Sequence, residues 1–158
     1  SRFGLRGIFE GHSSAAYCVV FDAVGERVFT GADDGVVKMW GSRSCLLQRT
    51  LRGHRAEIAD LSVHSAGRLL ASASNDRTVR IWAIDQPNVP CLAVLETSDA
   101  SGLATNVVTS AWRPGDVTYA ALAPPQLLSI SSAGLCSVWS APRPEPDAAE
   151  PLCRARFR

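Results

Sequence analysis

The sequence predicts an all-β fold of repeated four-stranded antiparallel units, and three observations carry that prediction. Residues 11–40, GHSSAAYCVVFDAVGERVFTGADDGVVKMW, align without a gap on residues 53–82, GHRAEIADLSVHSAGRLLASASNDRTVRIW, at an offset of 42 that pairs His12 with His54, Asp34 with Asp76 and Trp40 with Trp82. Each unit is then built of short β-branched and aromatic runs broken by the Asp, Asn and Gly that tight hairpins select. Sustained 3.6-residue periodicity is absent, which leaves helices without their main signal.

Element by element, residues 5–10 (LRGIFE) read as the closing strand of a preceding unit, within a leading segment 1–10. The first repeat, 11–52, takes YCVVFD as its first strand, RVFTG as its second, a turn at ADDG, VVKMW as its third and CLLQRTL as its fourth. The second repeat, 53–96, follows the same order, with its turn at SNDR, its third strand at TVRIW and its fourth at CLAVLE. A degenerate third repeat, 97–140, offers NVVTSAW, QLLSIS and LCSVW. It lacks Gly-His, carries Ala133 where Asp34 and Asp76 stood, and places Trp139 57 residues after Trp82, with the surplus in turn-rich insertions. All nine prolines lie after residue 86, and the Pro-rich tail 141–158 reads as a linker that ends in one last strand at LCRARF.

A period of about 40–45 residues bounded by Gly-His and Trp resembles that of WD40 propeller blades. The expected fold is therefore a partial WD40 β-propeller of about three blades. Propellers typically close with about 4–8 blades, so these repeats make an arc and not a closed ring. The start at Ser1 and the single methionine, Met39, fit a piece of a larger propeller. The first 95 residues resemble more specifically the bromodomain and WD-repeat-containing proteins, through AAYCVVFD and FTGADDGVVKMW followed by LRGHRAEIADLSV. Departures are Gly41 and Ala83 in place of the Asp that follows Trp in the repeat's name. The resemblance implies a nuclear, chromatin-associated interaction scaffold, concerned with transcription and cell shape and with substrate reception in cullin-RING ubiquitin ligases. A generic WD40 adaptor in signalling or RNA processing is the alternative.

Composition narrows the partners. Sixteen basic and fifteen acidic residues leave a net charge of +1, so no global field favours direct nucleic acid or an anionic membrane. The arginines of RSCLLQRTLRGHR alternate between strand faces, and fifteen of the sixteen basic residues are arginine throughout the chain. Contact with chromatin is expected to be indirect. No apolar run reaches the roughly 20 residues of a membrane helix. Five cysteines, odd in number and without a C-x-x-C pair, fit a reducing intracellular setting and small buried hydrophobes. They show no ligand spacing to His12, His54 and His64, so neither a metal nor another cofactor is expected.

His54, Ser72 and Asp76 imitate a hydrolytic triad, and a hydrolase is the reading from another class. The same trio recurs one period earlier as His12, Thr30 and Asp34, each followed by its tryptophan, Trp40 or Trp82, and an active site has no reason to be duplicated repeat by repeat. The resemblance implies a buried chain from the turn Asp through His and the hydroxyl to the indole N–H. Buried polar groups must be paired, so this is a structural role and the chain is expected to be no enzyme, with no small-molecule substrate. Partner contacts, again by resemblance, fall three and five residues after the repeat His and just before the turn Asp. These are Ala15, Tyr17 and Asp33 in the first repeat and Glu57, Ala59 and Asn75 in the second, with Tyr17 the best anchor for another protein. The WGSR at residues 40–43 resembles the Trp-Asp-x-Arg signature that docks on the damaged-DNA-binding adaptor of cullin-4 ligases; Arg43 is its charged donor.

Overall fold

A computed structural model describes residues 4–87, 91–98, 106–112 and 125–140. Eleven strands form three antiparallel sheets among these residues. The first blade holds β1 (Ala16–Phe21), β2 (Arg27–Ala32), β3 (Val37–Gly41) and β4 (Leu47–Leu51); the second holds β5 (Ile58–Val63), β6 (Leu69–Ser74), β7 (Thr78–Ala83) and β8 (Cys91–Glu96). Each is a meander in chain order. The third holds β9 (Val107–Trp112), β10 (Gln126–Ser131) and β11 (Cys136–Ser140), with β10 in the middle. The fold is an open arc of WD40-type blades. A fourth strand of the third blade at LCRARF lies outside the described residues.

The hairpin turns explain why the repeats share their punctuation. Gly35 N–H donates to the Ala32 carbonyl, Arg77 to Ser74 and Gly134 to Ser131, which closes the same turn in all three blades. The closing residue is left-handed each time, with φ of 69° at Gly35, 72° at Arg77 and 78° at Gly134. Glycine adopts this conformation freely, whereas a residue with a Cβ loses about 1 kcal/mol or more, so Arg77 is the strained member of the set. These turns, with the Gly-His segments, mark the upper rim of the arc. The β1–β2, β3–β4 and β5–β6 connections mark the lower rim.

Blades pack through their first strands, β5 against the first sheet and β9 against the second. Leu61 and Ile58 of β5 join Phe29, Val37 and Met39 in one core cluster, and Val107 and Trp112 of β9 join Ala71, Val79, Ile81 and Leu95 in the next. Alternation along β5 sends the other face the opposite way. Asp60 there accepts from the Thr109 hydroxyl at 2.5 Å and the Ser110 N–H at 3.0 Å, and the Ser62 carbonyl accepts from the Trp112 indole at 2.9 Å. The repeat register makes Val19 and Phe21 of β1 the counterparts of Leu61 and Val63, yet they stand 66% and 60% exposed, since no described blade lies against that face. Residues 5–10 have no strand pairing among the described residues, where no preceding sheet lies beside them. Phe9 instead packs on Trp40, ring centroids 5.6 Å apart.

Candidate functional site

Two polar systems occupy the upper rim. The inner one is the repeat network. In the second blade His54 Nδ1 lies 2.8 Å from Asp76 Oδ2, His54 Nε2 lies 2.7 Å from Ser72 Oγ, and Trp82 Nε1 donates to the same Oγ at 2.8 Å. An indole only donates, so it gives its proton to the hydroxyl; the hydroxyl gives its own to Nε2, and Nδ1–H is left for the carboxylate. Asp76 also accepts from the backbone N–H of Arg55 and Thr78 and from the Thr78 hydroxyl. Burial would raise the pKa of Asp76, but the hydrogen bonds from His54 and Thr78, attraction to the His54 ring and the Arg55 N–H outweigh it and hold the carboxyl well below its ordinary range.

The first blade repeats the chain with Thr30 as its hydroxyl, His12 Nδ1 to Asp34 at 3.1 Å, His12 Nε2 to Thr30 at 2.8 Å and Trp40 to Thr30 at 2.8 Å. Only its last link survives in the third blade, where Trp139 donates to Ser129 at 2.8 Å. The hydrolase reading fails on this geometry. Ser72 is 0% exposed and its oxygen is committed to Trp82, so no carbonyl can reach it.

The outer system holds the expected contact residues. Tyr17 is the extra residue of a β-bulge: Ala16 pairs with Ala32 and Cys18 with Gly31, which leaves Tyr17 without a ladder partner. Bulges re-aim a side chain, and this one sends Tyr17 outward, 62% exposed, to donate to Asp33 at 3.1 Å. The same bulge isolates Ala59 in the second blade and Val108 in the third. Asn75 pairs with Glu57 there, so the two blades each present one polar couple at the rim. Ala15 supplies only its carbonyl, which accepts from the Asp33 N–H. The structure thus brings Tyr17, Asp33, Glu57 and Asn75 to one rim and places Arg43 elsewhere. Arg43 is exposed in the β3–β4 loop at the lower rim, where Ser42 is anchored on the carbonyls of Glu26 and Gly25.

Sequence reasoning overlooked a hollow of about 280 Å³ at the upper rim of the second blade, lined by Arg55, Arg77 and Arg80 with Asp76, Thr78 and Glu96. Its signal was present: SNDR has an arginine where ADDG has the glycine the turn prefers.

Blades of this register, with the Asp-His-hydroxyl-Trp chain in two of them, define a WD-repeat propeller segment, a class that serves as protein-interaction scaffold. The WD domain, G-beta repeat family model matches residues 3–41 and 45–83, and the chain belongs to the WD40-repeat family. It is 37% identical over 89% of its length to a bromodomain and WD repeat-containing protein of Dictyostelium discoideum, and 35% identical over 73% to the WD repeat and HMG-box DNA-binding protein 1 of Xenopus laevis. It spans 6% and 10% of those two relatives. Among solved structures, U3-55K superposes with a TM-score of 0.70 at 21% identity over 84% of this chain and 38% of the other, a likeness of fold.

Proposed function

We propose that the chain serves as the protein-binding propeller part of a nuclear, chromatin-associated scaffold of the bromodomain and WD-repeat kind, with a role in transcription and cell shape, and that partners dock on its upper rim. One observation carries the docking reading: the bulge in β1 that lifts Tyr17 out beside Asp33, next to the Glu57–Asn75 couple. A tyrosine held by one hydrogen bond offers a rigid amphipathic surface at small entropic cost. The nuclear and chromatin assignment draws its support from the likeness to the bromodomain and WD repeat-containing relative. An adaptor in signalling or RNA processing would use the same rim for a different partner.

A photo-crosslinking residue placed at position 17 or 57 and, as control, at Arg43 tests the rim in nuclear extract. Discrete protein adducts from the upper positions alone support the reading, and equal adducts from position 43 overturn it. The finer reading of residues 40–43 toward the cullin-4 adaptor rests on exposed Arg43. Gly41 stands in place of the signature Asp, and a Cβ there would lie 2.5 Å from Ser44 Oγ. An Arg43→Ala chain that still co-purifies with that adaptor as well as the parent would end it.

A further inference from the structure

We propose that the arginine-lined hollow at the upper rim of the second blade binds an anionic side chain, phosphate or carboxylate, from a segment of a partner protein. The proposal rests on the reading of the upper rim as a protein-docking face and names the chemistry of what docks there.

Charge is the first argument. Three arginines and two acidic residues line the hollow, and Asp76 is already committed to His54, Thr78 and the Arg55 N–H. None of Arg55, Arg77 and Arg80 forms an ion pair among the described residues. Arg80 Nε is buried and has no hydrogen-bond partner there. A guanidinium matches a carboxylate or phosphate with two parallel N–H donors, so an anion would give the buried Arg80 Nε an acceptor and the exposed Arg55 and Arg77 an opposite charge.

Repetition is the second. Positions the blade requires are shared between repeats, and these arginines are not. The first blade has Ser13, Gly35 and Lys38 where the second has Arg55, Arg77 and Arg80, and the turn of the third has Gly134 for Arg77. Arg77 holds φ of 72° at a position the other two blades give to glycine. Strain that folding does not need points to use, in that direction of inference.

Rigidity is the third. The Arg77 carbonyl accepts from the Thr97 N–H at 3.1 Å and its hydroxyl at 2.9 Å, which fixes the turn. The Arg80 guanidinium lies so close over Gly53 that a Cβ on that glycine would be 2.6 Å from Nη1. Donors held before binding lose less entropy on binding. At about 280 Å³ the hollow has room for one anionic side chain and lies just under the lower end of the roughly 300–1,000 Å³ of small-molecule pockets. With a net charge of +1 this favours a peptide group over a nucleic-acid backbone, which would need an extended basic track.

The test is titration of the full chain with a fluorescent glycine- and alanine-flanked peptide that carries one phosphoserine, one glutamate or one serine. Saturable binding of an acidic peptide and none of the serine peptide is expected; the phosphoserine and glutamate arms assign the anion. Arg77→Gly should weaken that binding by about tenfold or more, the scale of a lost charge-assisted contact, while the melting temperature stays level or rises because the turn is relieved. Arg80→Gln should weaken it likewise, and Arg43→Gln at the lower rim should not. Equal binding by parent and Arg77→Gly, or tighter binding of a single-stranded oligonucleotide lost in the same variants, would overturn the proposal. Upper-rim crosslinks without acidic-peptide binding would sink the hollow and leave the docking face standing; peptide binding without crosslinks would do the reverse.

Discussion

Arg27 of the first blade reaches across to the second, where its Nη1 donates to the Ile84 carbonyl at 2.8 Å. Its Nη2 donates to the Gly67 carbonyl at 2.9 Å, and its Nε to the buried Asp22 carboxylate at 2.8 Å. One side chain therefore ties a hairpin of its own blade to two loops of the next. Arg27→Met keeps most of the apolar stem but leaves Asp22 without its cation and two carbonyls without donors. The expected loss is about 2–3 kcal/mol, below that of a fully buried pair because Arg27 is partly exposed. Urea unfolding should show a lower midpoint at unchanged slope, and a midpoint equal to the parent's would refute the clasp.

The repeat network grades from blade to blade, and substitutions should follow the grade. Ser72→Ala strands both the Trp82 indole and His54 Nε2 in a dry interior and is expected to cost about 2–5 kcal/mol. Ser129→Ala removes the acceptor of Trp139 alone and should cost about 1–2 kcal/mol. Equal effects in the two melting curves would contradict the assignment.

Acid should unfold the chain through its turn carboxylates. Asp76, Asp34 and Asp22 all have folded pKa values below the unfolded value of about 3.9, so their stabilisation is complete above that value and is lost as pH falls toward the folded ones. Melting temperature should be flat from about pH 7 to 5 and drop below about pH 4. Asp76→Asn should start lower and fall less over the acid range; a parallel fall would count against the linkage.

Thiol reactivity should separate the cysteines. Burial, with the neighbouring Asp60, pushes the Cys18 thiol up to about 11 against a weaker lowering by its contact with the Gly31 backbone, whereas Cys136 is exposed on β11. At pH 8 Cys18 then holds more than about a hundredfold less thiolate than an ordinary thiol of pKa about 8.5. Brief iodoacetamide treatment of the native chain, read by mass spectrometry, should label Cys136 and spare Cys18; equal labelling would refute it.

The strands were legible because each local choice repeats. RVFTG became β2 with one residue added, and TVRIW became β7 in the same way. CLLQRTL lost its first two residues because Ser42–Leu46 forms the lower loop, with Cys45 at φ of 56°. The network residues were legible for the same reason, as a pattern printed twice. What periodicity could not reveal is whatever departs from it or crosses between repeats. Arg27 binds carbonyls some 40 and 57 residues away that have no side-chain signature. Arg77 breaks the pattern, so a search for likeness passes over it. Tyr17 was chosen as a contact, but its outward aim comes from a bulge that only the ladder register discloses.

The bond from Thr109 to Asp60 spans 49 residues of chain. Hairpins within a blade close over a few residues and form early, whereas a contact at that separation has to await a larger closure. On a ribosome part of that gap becomes an interval of time: Thr109 follows Glu96, which completes the second blade, by roughly 1–3 seconds at about 5–20 residues per second, and for that interval the second blade can stand folded while the third is still emerging. The β5 face waiting through that interval presents Asp60 and Ser62 to water at its leading edge. A carboxylate and a hydroxyl keep the growing end hydrated, so a nascent arc is guarded against pairing with its neighbour on the same messenger until its own next blade arrives.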